Sequence, residues 1–119
     1  MNDEQAVVAS PTAGSGARIE RSRANVVAAL RTIYDPEIPV NIYDLGLIYE
    51  LDLDEQGRVA IRMTLTAPGC PVAEAFPRGV ASRLRDLPGV TDVQVELVWD
   101  PPWTMERLSD DVRLQLGLL

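Results

Sequence analysis

The chain contains no histidine and no lysine, and one cysteine among its 119 residues. Without histidine there is no Ser-His-Asp triad and no Cys-His pair. Without lysine there is no Schiff-base chemistry and no phosphate-loop lysine. One cysteine forms no internal disulfide, and a zinc site drawn from one chain needs several Cys or His ligands. No glycine-rich fingerprint follows a strand pattern, so no nucleotide cofactor is expected. Every one of the 11 basic residues is arginine, set against 18 acidic residues for a net charge of −7. That balance offers no basic patch, and neither nucleic acid nor an anionic membrane is an expected partner. No apolar run approaches the roughly 18–20 residues of a membrane span. No secretory-signal pattern is present, so a reducing cytoplasm is the expected compartment. Most enzyme classes lack their parts here, and the chain is expected not to be an enzyme.

What is present fits one domain of ordinary globular composition, 46% hydrophobic and 24% charged. Residues 1–17 are small and polar without apolar period, and are expected to be a disordered tail before a domain spanning 18–119. A first helix is expected over about 19–34, where Val26, Val27, Leu30, Ile33 and Tyr34 form one stripe. Asp35-Pro36 ends it, because a residue before proline avoids the helical region.

The connection that follows holds Asp35, Glu37 and Asp44 among apolar Ile38, Val40, Ile42 and Leu45. So many apolar residues predict a compact segment pinned to the domain. The three carboxylates are candidates to line a site, although Asp in a turn commonly just accepts backbone N–H bonds. Leu47, Tyr49, Leu51 and Leu53, then Val59, Ile61, Met63 and Leu65, alternate with other residues across a short glycine-containing loop. That period of two predicts a hairpin. A second helix follows Cys70, with Val72, Phe76, Val80, Leu84 and Leu87 as its stripe and a kink or break expected near Phe76, at Pro77. A third strand is expected over about 91–99, stopped by Pro101 and Pro102. Ser109 is placed to cap a short last helix.

These elements predict an α+β two-layer sandwich in the order helix-strand-strand-helix-strand-helix. Its three-stranded sheet, mixed or antiparallel, is covered by helices on one face. Strand order does not follow from the pattern.

Cys70 stands between the turn Pro68-Gly69 and Pro71, which suits the first position of a helix. As an N-cap its sulfur would lie near unpaired N–H groups and the positive end of the helix dipole, which favour the thiolate. A small apolar residue packed in a loop fits the same local sequence. Trp99 and Trp103 flank a rigid Asp-Pro-Pro segment, either as a partner contact or as closure of the core edge.

Four segments together resemble one known family. They are Asp35-Pro36-Glu37-Ile38-Pro39, Asp44-Leu45-Gly46-Leu47-Ile48, Met63-Thr64-Leu65-Thr66-Ala67-Pro68-Gly69-Cys70-Pro71 and Val98-Trp99-Asp100-Pro101-Pro102-Trp103. Their order over about residues 20–119 is similar to the metal–sulfur cluster assembly family, and most of all to its SufT-like iron–sulfur branch. A PaaD-like branch, which serves oxygenase maturation, carries further C-terminal cysteines that this chain lacks.

The resemblance implies a role in maturing iron–sulfur proteins, with Cys70 as the family's reactive cysteine. It maps the acidic motif onto Asp35 and Glu37, the second loop onto Asp44, and Thr66 into the motif before the cysteine. The expected function is an iron–sulfur assembly factor, acting as carrier or delivery accessory. Cys70 would be a transient ligand for iron or a labile cluster, and Asp35, Glu37 and Thr66 would shape the site. A bound cluster usually takes four protein ligands. One cysteine therefore implies sharing across a homodimer or with a partner from the assembly machinery or its client apoproteins. A metal-free adaptor that binds those proteins is the alternative. A thiol enzyme or redox sensor is weaker, for want of a base and a resolving cysteine.

Overall fold

The computed structural model describes residues 11–66 and 72–118 of the chain. Helix α1 (Pro11–Leu30) is followed by strands β1 (Ile48–Leu53) and β2 (Arg58–Met63), helix α2 (Val72–Arg85) and strand β3 (Asp92–Leu97). A 3-10 turn (Met105–Arg107) and helix α3 (Asp110–Gln115) complete the chain. The α+β order expected from the sequence is the one observed.

The sheet has the order β1-β2-β3, with β2 central. β1 pairs antiparallel with β2, and β2 pairs parallel with β3 from Arg58↔Asp92 to Met63↔Leu97. The sheet is therefore mixed, and the antiparallel alternative is excluded. The helical crossover through α2 lays β3 beside β2 in the same direction, as βαβ units do. Along β2, Val59, Ile61 and Met63 are buried, whereas Arg58, Ala60 and Arg62 are exposed. One face thus carries the core, and Val80, Ala81 and Leu84 of α2 with Val26 and Leu30 of α1 pack into it. The opposite face bears the exposed Glu50, Asp52, Arg62, Gln94 and Glu96. Arg62 sits there between Glu50 at 3.2 Å and Glu96 at 3.5 Å. Antiparallel hairpins tolerate such a solvated face.

Two helix boundaries differ from expectation. α1 begins at Pro11 rather than near residue 19, so residues 11–17, expected as tail, form its first turns. Residues 1–10 lie outside the described part. The opening turns contain alanine, a strong helix former, and proline at the first position, which is pre-organised for a helix. They lack an apolar stripe, the only signal that periodicity detects. At the other end α1 stops at Leu30, and Thr32 and Ile33 bond to the carbonyls of Ala29 and Leu30 at 3.0 and 3.1 Å. This tightening takes Tyr34 out of the helical stripe. It lies 59% exposed and bridges to Asn41 instead.

α2 runs without a break through Pro77. Proline deletes the bond to the carbonyl of Ala73, in the helix's opening turn, and the buried Val80, Ala81 and Leu84 hold the remainder in register.

The connection from α1 to β1 is compact, as expected. Ile33, Val40, Ile42, Leu45 and Leu47 are buried, and Ile42 N–H donates to Ile33 O at 2.9 Å. β1 has an irregularity between Ile48 and Glu50 that leaves Tyr49 as an extra residue. Bulges re-aim side chains, and here the Tyr49 hydroxyl donates to Pro101 O at 2.7 Å. The Arg107 guanidinium lies over its ring at 4.5 Å. Ser109 caps α3, its hydroxyl accepting from Val112 N–H at 3.2 Å. Leu108 and Val112 are buried against the core.

Candidate functional site

Asp35, Glu37 and Thr66 come together, although 29 residues of chain separate Glu37 from Thr66. Asp35 is only 6% exposed. Its Oδ2 accepts the N–H groups of Glu37 at 2.8 Å and Ile38 at 2.7 Å. Proline at position 36 cannot donate, so the carboxylate binds the next two amides and folds the 35–38 turn around itself. The expectation that Asp35 accepts backbone bonds in a turn is met. Its second oxygen, Oδ1, faces the Thr66 hydroxyl at 3.5 Å.

Thr66 lies just beyond β2. The strand pairing is prolonged past Met63 by Thr64 N–H, which donates to Leu47 O at 2.9 Å. This lays residues 64–66 beside the loop that carries the acidic motif. The Thr66 hydroxyl then donates to Glu37 Oε1 at 3.0 Å. A hydroxyl has one proton, so the shorter contact to Glu37 takes it and the longer one to Asp35 is secondary. Glu37 is exposed, leaving one carboxylate oxygen toward solvent. Thr64, its neighbour in the same motif, is fully buried, and its hydroxyl has no partner among the described residues.

Asp44 does not join this group by any hydrogen bond of its carboxylate. Its Oδ2 accepts from Asn41 Nδ2 at 2.9 Å and its Oδ1 from Arg31 Nε at 3.3 Å. Asn41 Oδ1 in turn accepts Asp44 N–H at 2.8 Å. Asp44 therefore closes the 41–44 turn and ties it to α1. Sequence reasoning missed Asn41 and Arg31 in this role. The three-residue spacing of Asn41 and Asp44, typical of a side-chain-closed turn, was the available signal.

The two tryptophans separate. Trp103 packs against the core and its indole N–H donates to Leu45 O at 2.7 Å. Trp99 is 40% exposed. Closure of the core edge thus describes Trp103, and an available contact surface describes Trp99.

Cys70 lies outside the described residues, as do Pro68, Gly69 and Pro71, and with them the expected N-cap. Among the described residues no group of three or more Asp, Glu, Cys or His side chains is arranged to hold a metal ion. Asp35 and Glu37 supply two carboxylates, one of them half occupied by amides. Alone they do not fit a resident iron–sulfur cluster, which takes mostly cysteine ligands.

The family model described as iron–sulfur cluster assembly protein matches residues 23–97. A Porphyromonas gingivalis protein described as an Fe-S protein maturation auxiliary factor is 43% identical over 99 residues, covering 83% of this chain and 94% of the relative. The Staphylococcus aureus Fe-S protein maturation auxiliary factor SufT is 36% identical over 86 residues, 72% of this chain and 98% of that one. Among solved structures, the domain of unknown function DUF59 from Bacillus anthracis superposes with a TM-score of 0.76 at 35% identity, covering 87% of this chain and 99% of that chain. The match takes in the acidic loop, the hairpin, α2 and β3 together, and on this ground the chain belongs to the iron–sulfur cluster assembly protein family.

Proposed function

We propose that this protein is an iron–sulfur maturation factor that carries or hands over iron or a cluster to client apoproteins. Cys70 is the transient ligand, and the protein acts by binding rather than by catalysing a reaction of its own. The observation that carries this reading is the Thr66 hydroxyl bridging toward Asp35 and Glu37, four residues before the one cysteine. Four residues of chain reach at most about 14 Å, which bounds the distance along the chain between Thr66 and Cys70.

The chemistry of the two donor types differs usefully. Carboxylate and hydroxyl oxygens suit hard iron, and thiolate suits iron within a cluster. Glu37 is exposed and able to meet an incoming ion, while Asp35 holds the turn that presents it. Iron or cluster is cargo here, held briefly, with its remaining ligands supplied by a second copy, the assembly machinery or the client. Relatives named as maturation auxiliary factors support this role. The single cysteine suits a reducing cytoplasm. No helix among the described residues is long and apolar enough to cross a membrane.

The test is anaerobic reconstitution of wild type, Cys70→Ser and Glu37→Gln, counting iron and sulfide per protein and then following transfer to an apoprotein. Labile binding by wild type, its loss in Cys70→Ser and slower transfer from Glu37→Gln are the expected results. Equal iron content and equal transfer in all three would overturn the reading. The exposed Trp99 favours a second reading, a metal-free adaptor. It gains if neither wild type nor Cys70→Ser takes up iron yet both capture the same client.

A further inference from the structure

Two carboxylates converge on one hydroxyl. Glu37 Oε1 lies 3.0 Å and Asp35 Oδ1 3.5 Å from Thr66 Oγ1. Neither carboxylate has a salt-bridge partner among the described residues, and Arg31, the arginine tied to this connection, is engaged by Asp44 at 3.3 Å. A hydroxyl carries one proton, so Thr66 serves one acceptor at a time. The shorter contact gives that proton to Glu37. Asp35 Oδ1 is then left without a good donor, although Asp35 is buried. Its other oxygen, Oδ2, is committed to the Glu37 and Ile38 amides.

The two acceptors differ in what reaches them. Glu37 is exposed and Asp35 is buried. A cation arriving from solvent meets Glu37 first, and it competes with the hydroxyl proton for the same carboxylate oxygen. The Thr66 hydroxyl then has a second setting open to it, because a hydroxyl turns about its C–O bond to suit its neighbours. A buried oxygen without a donor is costly, and a hydrogen bond to an ionised group is stronger than one to a neutral group. Turning toward Asp35 therefore supplies what that carboxylate lacks. The backbone two residues earlier is pinned, since Thr64 N–H donates to Leu47 O at 2.9 Å. A change at Thr66 thus passes onward along the segment that leads to Cys70 and is stopped from passing back into β2.

We propose that Thr66 is a positioning residue whose hydroxyl switches from Glu37 to Asp35 when a divalent cation occupies the Glu37 carboxylate. In the empty site it holds Glu37, an exposed side chain with no other partner among the described residues, in one orientation. In the loaded site it completes the hydrogen bonding of the buried Asp35 carboxylate. Loading of the exposed acid is thereby registered at the buried turn and at residue 66, which lies 29 residues from Glu37 along the chain. The switch rests on the reading that Glu37 meets the incoming ion, and it adds how the chain registers that arrival.

Magnesium is the probe, because it binds carboxylate oxygens and leaves thiols alone. Carbon-detected NMR on the full chain follows the Asp35 and Glu37 carboxyl carbons and the Thr66 methyl as magnesium is added. In wild type all three are expected to shift with one midpoint. In Thr66→Val, which keeps the shape and removes the proton, Glu37 still shifts and the Asp35 response is lost. Thr66→Ser restores it. If Thr66→Val misfolds, Glu37→Gln at its exposed position serves instead, and the Asp35 response is lost there with the cation. General screening of charge would move Asp35 equally in wild type and in these variants, and that result overturns the proposal. So does a Glu37 that magnesium leaves unshifted, or an Asp35 and Thr66 that stay still while Glu37 saturates. None of these shifts involves Cys70, so they keep their meaning even if Cys70→Ser takes up iron as wild type does.

Discussion

Asp35 and Glu37 stand two residues apart and do different work. The Asp35 carboxylate is buried and satisfies two amides of its own turn. Asp35→Ala leaves those amides without their acceptor, and buried unsatisfied groups cost about 1–3 kcal/mol each. A loss of about 2–4 kcal/mol in a urea titration is expected, since the 35–38 turn can open partly to water. Glu37→Gln changes an exposed side chain, so its stability stays within about 0.5 kcal/mol of wild type. Its defect should appear in iron transfer alone. That contrast separates the residue that holds the turn from the one proposed to meet the iron. Asp54 offers a test of the same logic by pH. Its pKa is lowered, first by the Arg58 N–H bond to its carboxylate, against opposing desolvation, with the Arg58 side chain and the Gln56 N–H adding to the lowering. A carboxylate with a depressed folded pKa contributes stability that is present above the unfolded value and lost as pH falls through the folded one. Carbon-detected titration should place the Asp54 midpoint below 3.8, and Asp54→Asn should remove that part of the acid sensitivity.

Elements are legible in the sequence where burial is periodic, and hidden where something else holds them. The alternation at Val59, Ile61 and Met63 announces β2 because one face of the sheet is buried and the other wet. Nothing in that alternation states which strand lies beside which, so the parallel β2–β3 pairing became visible only in three dimensions. The first turns of α1 carry no stripe and were hidden for that reason. Of the site, Asp35 and Glu37 stand out as carboxylates in a proline-bearing, apolar connection, and Thr66 is identified through the family resemblance. The Asp44 ties to Arg31 and Asn41, and the arginine caps on strand edges, have no period to reveal them. Arg23 Nη1 donates to Leu51 O at 3.0 Å on the β1 edge, as Arg85 does to Val93 O on the β3 edge. A guanidinium suits this task because it offers several rigidly placed donors. The hairpin turn provides the sharpest element-level prediction. Gly57 has φ +84°, and a Cβ there would lie 2.0 Å from the backbone oxygen of Gly89. Thr91 binds the same turn through its N–H to Gly57 O at 2.9 Å and its hydroxyl to Gln56 O at 2.7 Å. Gly57→Ala must therefore strain its own backbone and push the α2–β3 loop away. A loss of about 2–4 kcal/mol is expected by chemical denaturation. Gly89→Ala shares the positive φ but meets open space, and should cost only about 1–2 kcal/mol.

At the scale of the whole molecule, the two ends of the described chain contribute unequally to one core. At the amino end, Gly16, Ala17 and Arg18 are exposed, and from residue 16 onward the first fully buried side chain of α1 is Val26. At the carboxyl end, residues 100–118 form a strap in which Leu108 and Val112 are buried and Trp103 and Leu116 pack against the core, fastened by Trp103 to Leu45 and by Tyr49 to Pro101. Burying one large apolar side chain is worth about 1.5–3 kcal/mol. The strap's buried side chains together thus supply roughly 5–10 kcal/mol by the same measure. That matches the total stability of an ordinary domain, about 5–15 kcal/mol. A chain ending at Pro102 should consequently lose cooperative melting in calorimetry and expose its core to a hydrophobic dye. A chain beginning at Arg18 should melt within a few degrees of wild type, because Gly16 and Ala17, the removed residues whose burial is described, are exposed. If the carboxyl-terminal truncation melted as the full chain does, the strap would be an accessory laid over a finished core. The loss of cooperativity would make it the fourth side of that core, and would explain why the Asp-Pro-Pro-Trp segment must turn back across the sheet end instead of extending β3.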